Sequence, residues 1–217
     1  MSAFALSLVL IVAAYLLGSL SGSLLLGRLR GVDIRTQGSG NAGGTNALRT
    51  QGWKFALGVV LVDVGKGALA AWLGLRFAPV FAPMDDALPA QALGYATAFA
   101  AALGHVWPLW HGFRGGKGVG TLLGGLLVLW PGAVPWLLSV WILVLVSSGY
   151  VGLASVIAVA CVVPLAWYFG SDADDARRLF ACAAALLVLF THRGNLQRLR
   201  AGSESRFERV RLLRKRP

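Results

Sequence analysis

Met1 to Gly27 carries no charged side chain, and neither does Gly118 to Ser171. A helix needs about 20 apolar residues to cross a hydrocarbon core about 30 Å thick. Both stretches exceed that length, and no other feature limits the fold as severely. Charged residues make up only 13% of the chain, with 57% hydrophobic residues and a mean hydropathy of +0.69, whereas soluble domains carry about a quarter charged residues. No alternating strand pattern suits a spanning barrel, so the spans are expected to be helical. The expected fold class is an all-α integral membrane protein, a polytopic helix bundle forming a single membrane domain over residues 1–217. The first cation, Arg28, lies behind the first apolar run. That is the wrong order for a cleaved signal peptide and points to a retained first helix. Cys161 and Cys182 sit in apolar stretches without CxxC spacing and read as small buried hydrophobes.

The apolar windows are Phe4–Leu26, Phe55–Leu75, Leu88–Trp110, the long Gly118–Ser171 run and Leu179–Phe190. Three segments between or after them are basic: Arg28, Arg30, Arg35, Arg49 and Lys54 against Asp33; Arg114 with Lys117; and the tail beyond Thr191. The positive-inside rule makes all three cytoplasmic, with motif segments near 28–54, 104–121 and 191–217. Asp85 and Asp86, then Asp172, Asp174 and Asp175 with Arg177 and Arg178, belong outside. From Lys117 to Asp172 the chain must then cross an odd number of times. Breaks at "WPGAVP" (130–135) and "SSGY" (147–150) divide that run into three pieces. The preferred count is about seven spans, with the N-terminus outside and the C-terminus cytoplasmic; about five plus a re-entrant hairpin is the alternative. The same topology accounts for the net charge of +11, so no nucleic-acid partner is expected.

The topology gathers three glycine-rich, basic segments at one membrane face: "GSGNAGGTNALR" (38–49), "GHVWPLWHGFRGGKGVGT" (104–121) and "HRGNLQRLRAGSE" (192–204). Glycines expose backbone N–H groups that form nests for phosphate oxygens, and helix N-termini add positive dipole ends. Gly40, Asn41, Gly115, Gly116 and Gly118 suit such nests. Arg49 offers a bidentate fork and Lys117 a point charge. Ser39, Thr45, Asn46 and Asn195 carry short polar side chains, and His192, Arg193, Asn195 and Arg198 cluster at one helix end. Gly38, Gly40 and Gly43 satisfy GxGxxG, but without the strand and βαβ unit a dinucleotide site requires. "GGKG" is not a Walker A, because His111 and Gly118 stand where its first glycine and its Ser/Thr belong. No Asp or Glu lies between Asp33 and Asp63 or between Asp86 and Asp172. A metal-clamped phosphoryl site needs convergent carboxylates, so anion binding without a metal or other cofactor is expected. Asp63 and Lys66 can pair at i, i+3 inside the second span, either as a functional site or as glue between helices. His105 and His111 read as hydrogen-bonding residues at helix ends, and Trp53, Trp107 and Trp110 as interface anchors.

These segments closely resemble the signature motifs of the bacterial membrane-integral, acyl-phosphate-dependent glycerol-3-phosphate acyltransferases, the PlsY family. Its pattern reads GSGNxGATN, then GH…FxGGKGxAT, then HRxNIxRLxxGxE, and this chain has GSGNAGGTN, GH…FRGGKGVGT and HRGNLQRLRAGSE in the same order. The resemblance covers essentially the whole chain. It implies transfer of a fatty acyl group from acyl phosphate to the 1-hydroxyl of glycerol 3-phosphate. The products are lysophosphatidic acid and phosphate, in the first step of phospholipid synthesis at the bacterial cytoplasmic (inner) membrane. It further implies no need for CoA or acyl carrier protein. By motif position it points to Ser39, Arg49, Lys117, His192 and Asn195, with Ser155 as a further polar position. His192 is then the base, or it orients the glycerol with Asn195 while a substrate phosphate takes the proton. Gly44 and Gly120 stand where the family usually has alanine, and Gly149 and Gly152 where arginine and serine are expected. A transporter for a phosphorylated metabolite is the alternative from another class. It would explain midplane Asp63 and Lys66 but predicts an internal symmetry that the sequence lacks.

Overall fold

The computed structural model describes residues 2–81, 88–169 and 175–207. Asp85, Asp86, Asp172, Asp174 and the tail from Glu208 onward lie outside the described residues. Among the described residues there are α-helices and two short 3-10 turns, and no strand. The chain divides into two compact units, 1–130 and 131–217.

The first unit contains α1 (Ala3–Gly18), α2 (Gly22–Leu29), α3 (Gly44–Gln51), α4 (Trp53–Phe81), α5 (Ala90–Val106) and α6 (Val119–Leu129). Helix α4 is its axis and packs against all five of the others. The first apolar window is not one helix: it bends by 46° between Gly18 and Gly22. "GSLSGS" interrupts the helical ladder there, and in lipid the freed backbone groups must find partners inside the protein. Helix α4 supplies them. Lys66 Nζ donates to Gly18 O at 2.8 Å and Leu20 O at 2.9 Å, and Asp63 Oδ1 accepts from Gly22 N at 3.1 Å.

Close helix contact comes from small residues, as in membrane bundles generally. A Cβ on Gly67 would lie 2.0 Å from Thr121 O, and one on Gly124 2.0 Å from Val64 O, so α4 and α6 touch backbone to backbone. Gly18 against Ala101 and Gly104 against Tyr15 do the same for α1 and α5.

The second unit contains α7 (Ala133–Ser148), α8 (Val151–Tyr168), α9 (Asp175–Thr191) and α10 (Arg193–Arg200). Helix α8 packs between α7 and α9. The long uncharged run breaks into α6, α7 and α8 at the two expected places. Helix α6 has 11 residues and is only about 16 Å long. Among the described residues, Trp53–Ala78 and Val151–Tyr168 can each cross a membrane unaided by length and composition, and the bent pairs α1–α2 and α9–α10 raise that count to four. Phe4, Leu8, Leu61, Trp72, Leu143 and Leu186 are exposed, an apolar surface a soluble protein would bury. Trp53, Trp107 and Trp110 are exposed too, as interface anchors require.

Gly67 and Gly65 provide a matched test, since a Cβ on Gly65 meets nothing within 4 Å. Gly67→Ala should destabilise the detergent-solubilised protein by about 1–3 kcal/mol. Gly65→Ala should be neutral or stabilising by up to about 1 kcal/mol. Thermal melts of the two variants against the parent check the pair, and equal melting shifts would contradict the packing described.

Candidate active site

In the first unit, the segment from Asp33 to Gln51 folds around Asn46. This side chain is buried in the first turn of α3. Its Nδ2 donates to Ile34 O at 3.1 Å and Gln37 O at 3.0 Å, and its Oδ1 accepts from Ser39 N at 3.0 Å. Asn46 therefore acts as the loop's internal frame. Beneath it Leu24, Ile34, Ala42, Ala47, Phe55 and Val59 form an apolar floor. Ser39 and Gly40 are exposed, as is Arg49 in the last turn of α3, while Asn41 and Thr45 are half-buried.

Arg35 fastens this segment to the next one. It pairs with Asp33 at 2.8 Å and donates to the carbonyls of His111 at 3.0 Å and Arg114 at 3.4 Å. The hydrogen bond from Arg35 holds the Asp33 carboxyl below its ordinary range against the opposing effect of burial, and Asp33 in turn raises Arg35. Burial, followed by the nearby charges of Arg35 and Arg28, lowers His111 and favours its neutral form.

The second motif differs from its sequence reading in one respect. Gly115 N donates to Val106 O and Gly116 N to His105 O, each at 3.1 Å. Those two N–H groups satisfy carbonyls at the end of α5 and do not form an open nest. The glycines serve close approach instead: a Cβ on Gly115 would lie 2.0 Å from His105 O, and one on Gly116 2.1 Å from His105 Nε2 and 2.8 Å from Ala42 O. The first and second motif loops thus meet at Gly116. Lys117 follows, half-buried, and Gly118 caps α6, whose first N–H groups have no partner one turn back. Thr121, in that first turn, buries a hydroxyl without a hydrogen-bond partner among the described residues. Gly120 has room for the family's alanine, with its nearest neighbour at 3.7 Å.

In the second unit α9 and α10 meet at a 54° bend. His192 is the residue before α10, so it and Asn195 do not share one continuous helix. His192 is buried, and its Nδ1 lies 2.9 Å from Val188 O. A carbonyl can only accept, so Nδ1 carries a proton, and in the neutral form of the ring Nε2 is the acceptor nitrogen. Asn195 Nδ2 donates to Glu204 Oε1, and Arg198 Nε donates to Glu204 Oε2 at 2.7 Å. Glu204 was not among the expected site residues, although it ends the third motif. Arg193 turns back onto Phe190, donating to its carbonyl and lying 4.2 Å from its ring centre. Ser155 donates to Val151 O and accepts from Trp141 Nε1 at 3.2 Å, inside the α7–α8 packing. Gly152 lies against Asn195, with atoms of that side chain 3.0 Å from where its Cβ would be. Gly149 has φ +79° and receives the tail through Phe207 N at 2.8 Å. An arginine would be strained there, and Arg206 from the tail hydrogen-bonds the Tyr150 hydroxyl instead.

Fold and loops together define an all-α membrane protein whose polar chemistry is concentrated in basic, glycine-rich segments. The profile of the glycerol-3-phosphate acyltransferase family matches residues 8–202. A glycerol-3-phosphate acyltransferase of Chlorobaculum tepidum is 36% identical over 92% of this chain and 95% of its own. One of Clostridioides difficile is 40% identical over 91% and 93%. A crystal structure of PlsY, an integral membrane glycerol 3-phosphate acyltransferase, in its glycerol 3-phosphate form matches with a TM-score of 0.81. It is 32% identical and covers 93% of this chain and 95% of that one. The lysophosphatidic acid form of PlsY matches with the same score and identity over 95% and 98%. The chain belongs to the glycerol-3-phosphate acyltransferase family of integral membrane enzymes.

Glu204→Gln keeps an acceptor for Asn195 but loses the charge that holds Arg198. A charge-assisted hydrogen bond contributes about 1.5–3 kcal/mol, so acyltransfer should fall about tenfold or more while helical content by circular dichroism stays constant. Unaltered kinetics would show that Asn195 and Arg198 need no such support.

Proposed function

We propose that this enzyme transfers a fatty acyl group from acyl phosphate to the 1-hydroxyl of glycerol 3-phosphate, releasing lysophosphatidic acid and phosphate. The observation that carries the reading is the charge balance of the motif segments. Among their described residues the acids are Asp33 and Glu204, and each is paired with an arginine. The remaining charge is cationic, which suits two phosphate-bearing substrates. At roughly 6 Å two phosphate dianions repel by about 3 kcal/mol in water, and by roughly four times that at an effective dielectric near 20. Arg49 and Lys117 offset this repulsion. Ser39, Gly40, Asn41 and Thr45 offer polar groups to a phosphate, and Gly118 leads into the N-terminus of α6. The PlsY structures in glycerol 3-phosphate and lysophosphatidic acid forms support the same substrate and product here.

Acyl phosphate is already an activated mixed anhydride, so the reaction needs no covalent enzyme intermediate. The glycerol oxygen attacks the acyl carbon, the new ester bond forms, and the bond from the acyl carbon to the phosphate oxygen breaks. His192, with Nε2 as acceptor, takes the proton of the attacking hydroxyl and passes it to the departing phosphate, which leaves as hydrogen phosphate, and Asn195 orients the glycerol. The motif segments face the cytoplasm across the bacterial inner membrane, with the N-terminus outside.

Detergent-purified protein should release phosphate from a long-chain acyl phosphate only when glycerol 3-phosphate is present, without CoA, acyl carrier protein or divalent metal. Strict dependence on any of these would sink the proposal. In the same assay Arg49→Ala and Lys117→Ala should each lower kcat/KM about ten- to hundredfold, the loss expected for a charge-assisted contact, in protein that still folds. Unchanged kinetics in both would remove the two cations from the phosphate site.

A further inference from the structure

Asp63, Lys66 and His105 are all buried, at 4%, 5% and 4% exposure. Asp63 and Lys66 lie in α4, outside all three motifs, and the reaction described above uses none of the three. Lys66 Nζ stands 3.0 Å from Asp63 Oδ1 and 2.9 Å from His105 Nδ1, and Nδ1 lies 3.3 Å from the same carboxylate oxygen. The imidazole is therefore gripped along its Nδ1 edge. Its Nε2 edge faces Gly116, close enough that a Cβ there would sit 2.1 Å away. The backbone repeats the link, because His105 O accepts from Gly116 N at 3.1 Å. On the other side of Gly116 stands Ala42 O of the first motif loop.

Lys66 and Asp63 satisfy the break between α1 and α2 through Gly18 O, Leu20 O and Gly22 N–H, but that role does not involve the imidazole of His105, which both of them also contact. The cluster adds a rigid path from α4, through the imidazole, to the residue where the two loops meet and immediately before Lys117. We propose that Asp63, Lys66 and His105 form a positioning unit for phosphate binding. The ion pair fixes the imidazole, and the imidazole sets the placement of Gly116 and Lys117 against the Ala42 loop. This rests on the reading that these loops hold a substrate phosphate.

The test uses the full chain in detergent with two variants. His105→Phe keeps a ring against Gly116 but loses the grip at Nδ1. Asp63→Asn keeps an oxygen for Gly22 N–H and Lys66 but loses the charge, and carries the same test should the first variant not fold. KM for each substrate, kcat, and hydrogen exchange across residues 112–118 are measured. We expect KM for one phosphate-bearing substrate to rise at least tenfold with kcat within about threefold. Exchange at Gly115 and Gly116 should quicken at least tenfold while the interiors of α4 and α5 keep parental rates. Unchanged KM values in a folded variant, or faster exchange spread through α4 and α5 with unchanged KM, would reduce the cluster to a structural role and overturn the inference alone. The phosphate reading fails by a different signature: exchange at 112–118 in the parent protein unaffected by added glycerol 3-phosphate. That result removes this inference with it.

Discussion

Lys66 closes the break in the first apolar segment, and the arrangement of the first unit follows from that contact. A chain can interrupt a helix in a bilayer only where the protein itself satisfies the freed carbonyls and N–H groups. Here the ammonium of Lys66 takes two carbonyls and the carboxylate of Asp63 takes one N–H. The interruption redirects the chain into α2 and on to the loop around Asn46. Without a cation and an anion one helical turn apart in α4, the sequence "GSLSGS" would leave unpaired backbone in lipid.

The glycines of the second motif show how one residue type serves different physics at neighbouring positions. A nest for phosphate needs N–H groups left unpaired, but those of Gly115 and Gly116 pair with the last carbonyls of α5. Their missing side chains instead let backbone, imidazole and the first motif loop come within contact distance. The open N–H groups of this segment belong one step later, at the start of α6. Glycine richness marked the correct segment while leaving the role of each glycine undecided.

In the second unit the corresponding organiser is Glu204. Its two oxygens receive Asn195 and Arg198, so one carboxylate fixes both a neutral amide and a guanidinium on α10. The bend at His192 turns that imidazole back onto α9, which selects the ring nitrogen left to accept. Gly152 leaves space that Asn195 occupies, and the tail residue Arg206 approaches the turn at Gly149. The two departures from the family's residues in this stretch thus have local structural counterparts.

Uncharged length, charge asymmetry and turn residues are properties of the chain in order, so the sequence alone determined the all-helical membrane fold and the breaks at 130–135 and 147–150. The same is true of the three basic motif segments, and their order along the chain carried the family. The i, i+3 spacing also made the Asp63–Lys66 pair legible. Tertiary structure alone decided that this pair grips His105, that Asn46 frames its own loop, that Ser155 serves packing with Trp141, and that Glu204 gathers Asn195 and Arg198. Each of these depends on which groups, from several to dozens of residues apart in sequence, are brought within about 3 Å, and one-dimensional spacing does not contain that distance.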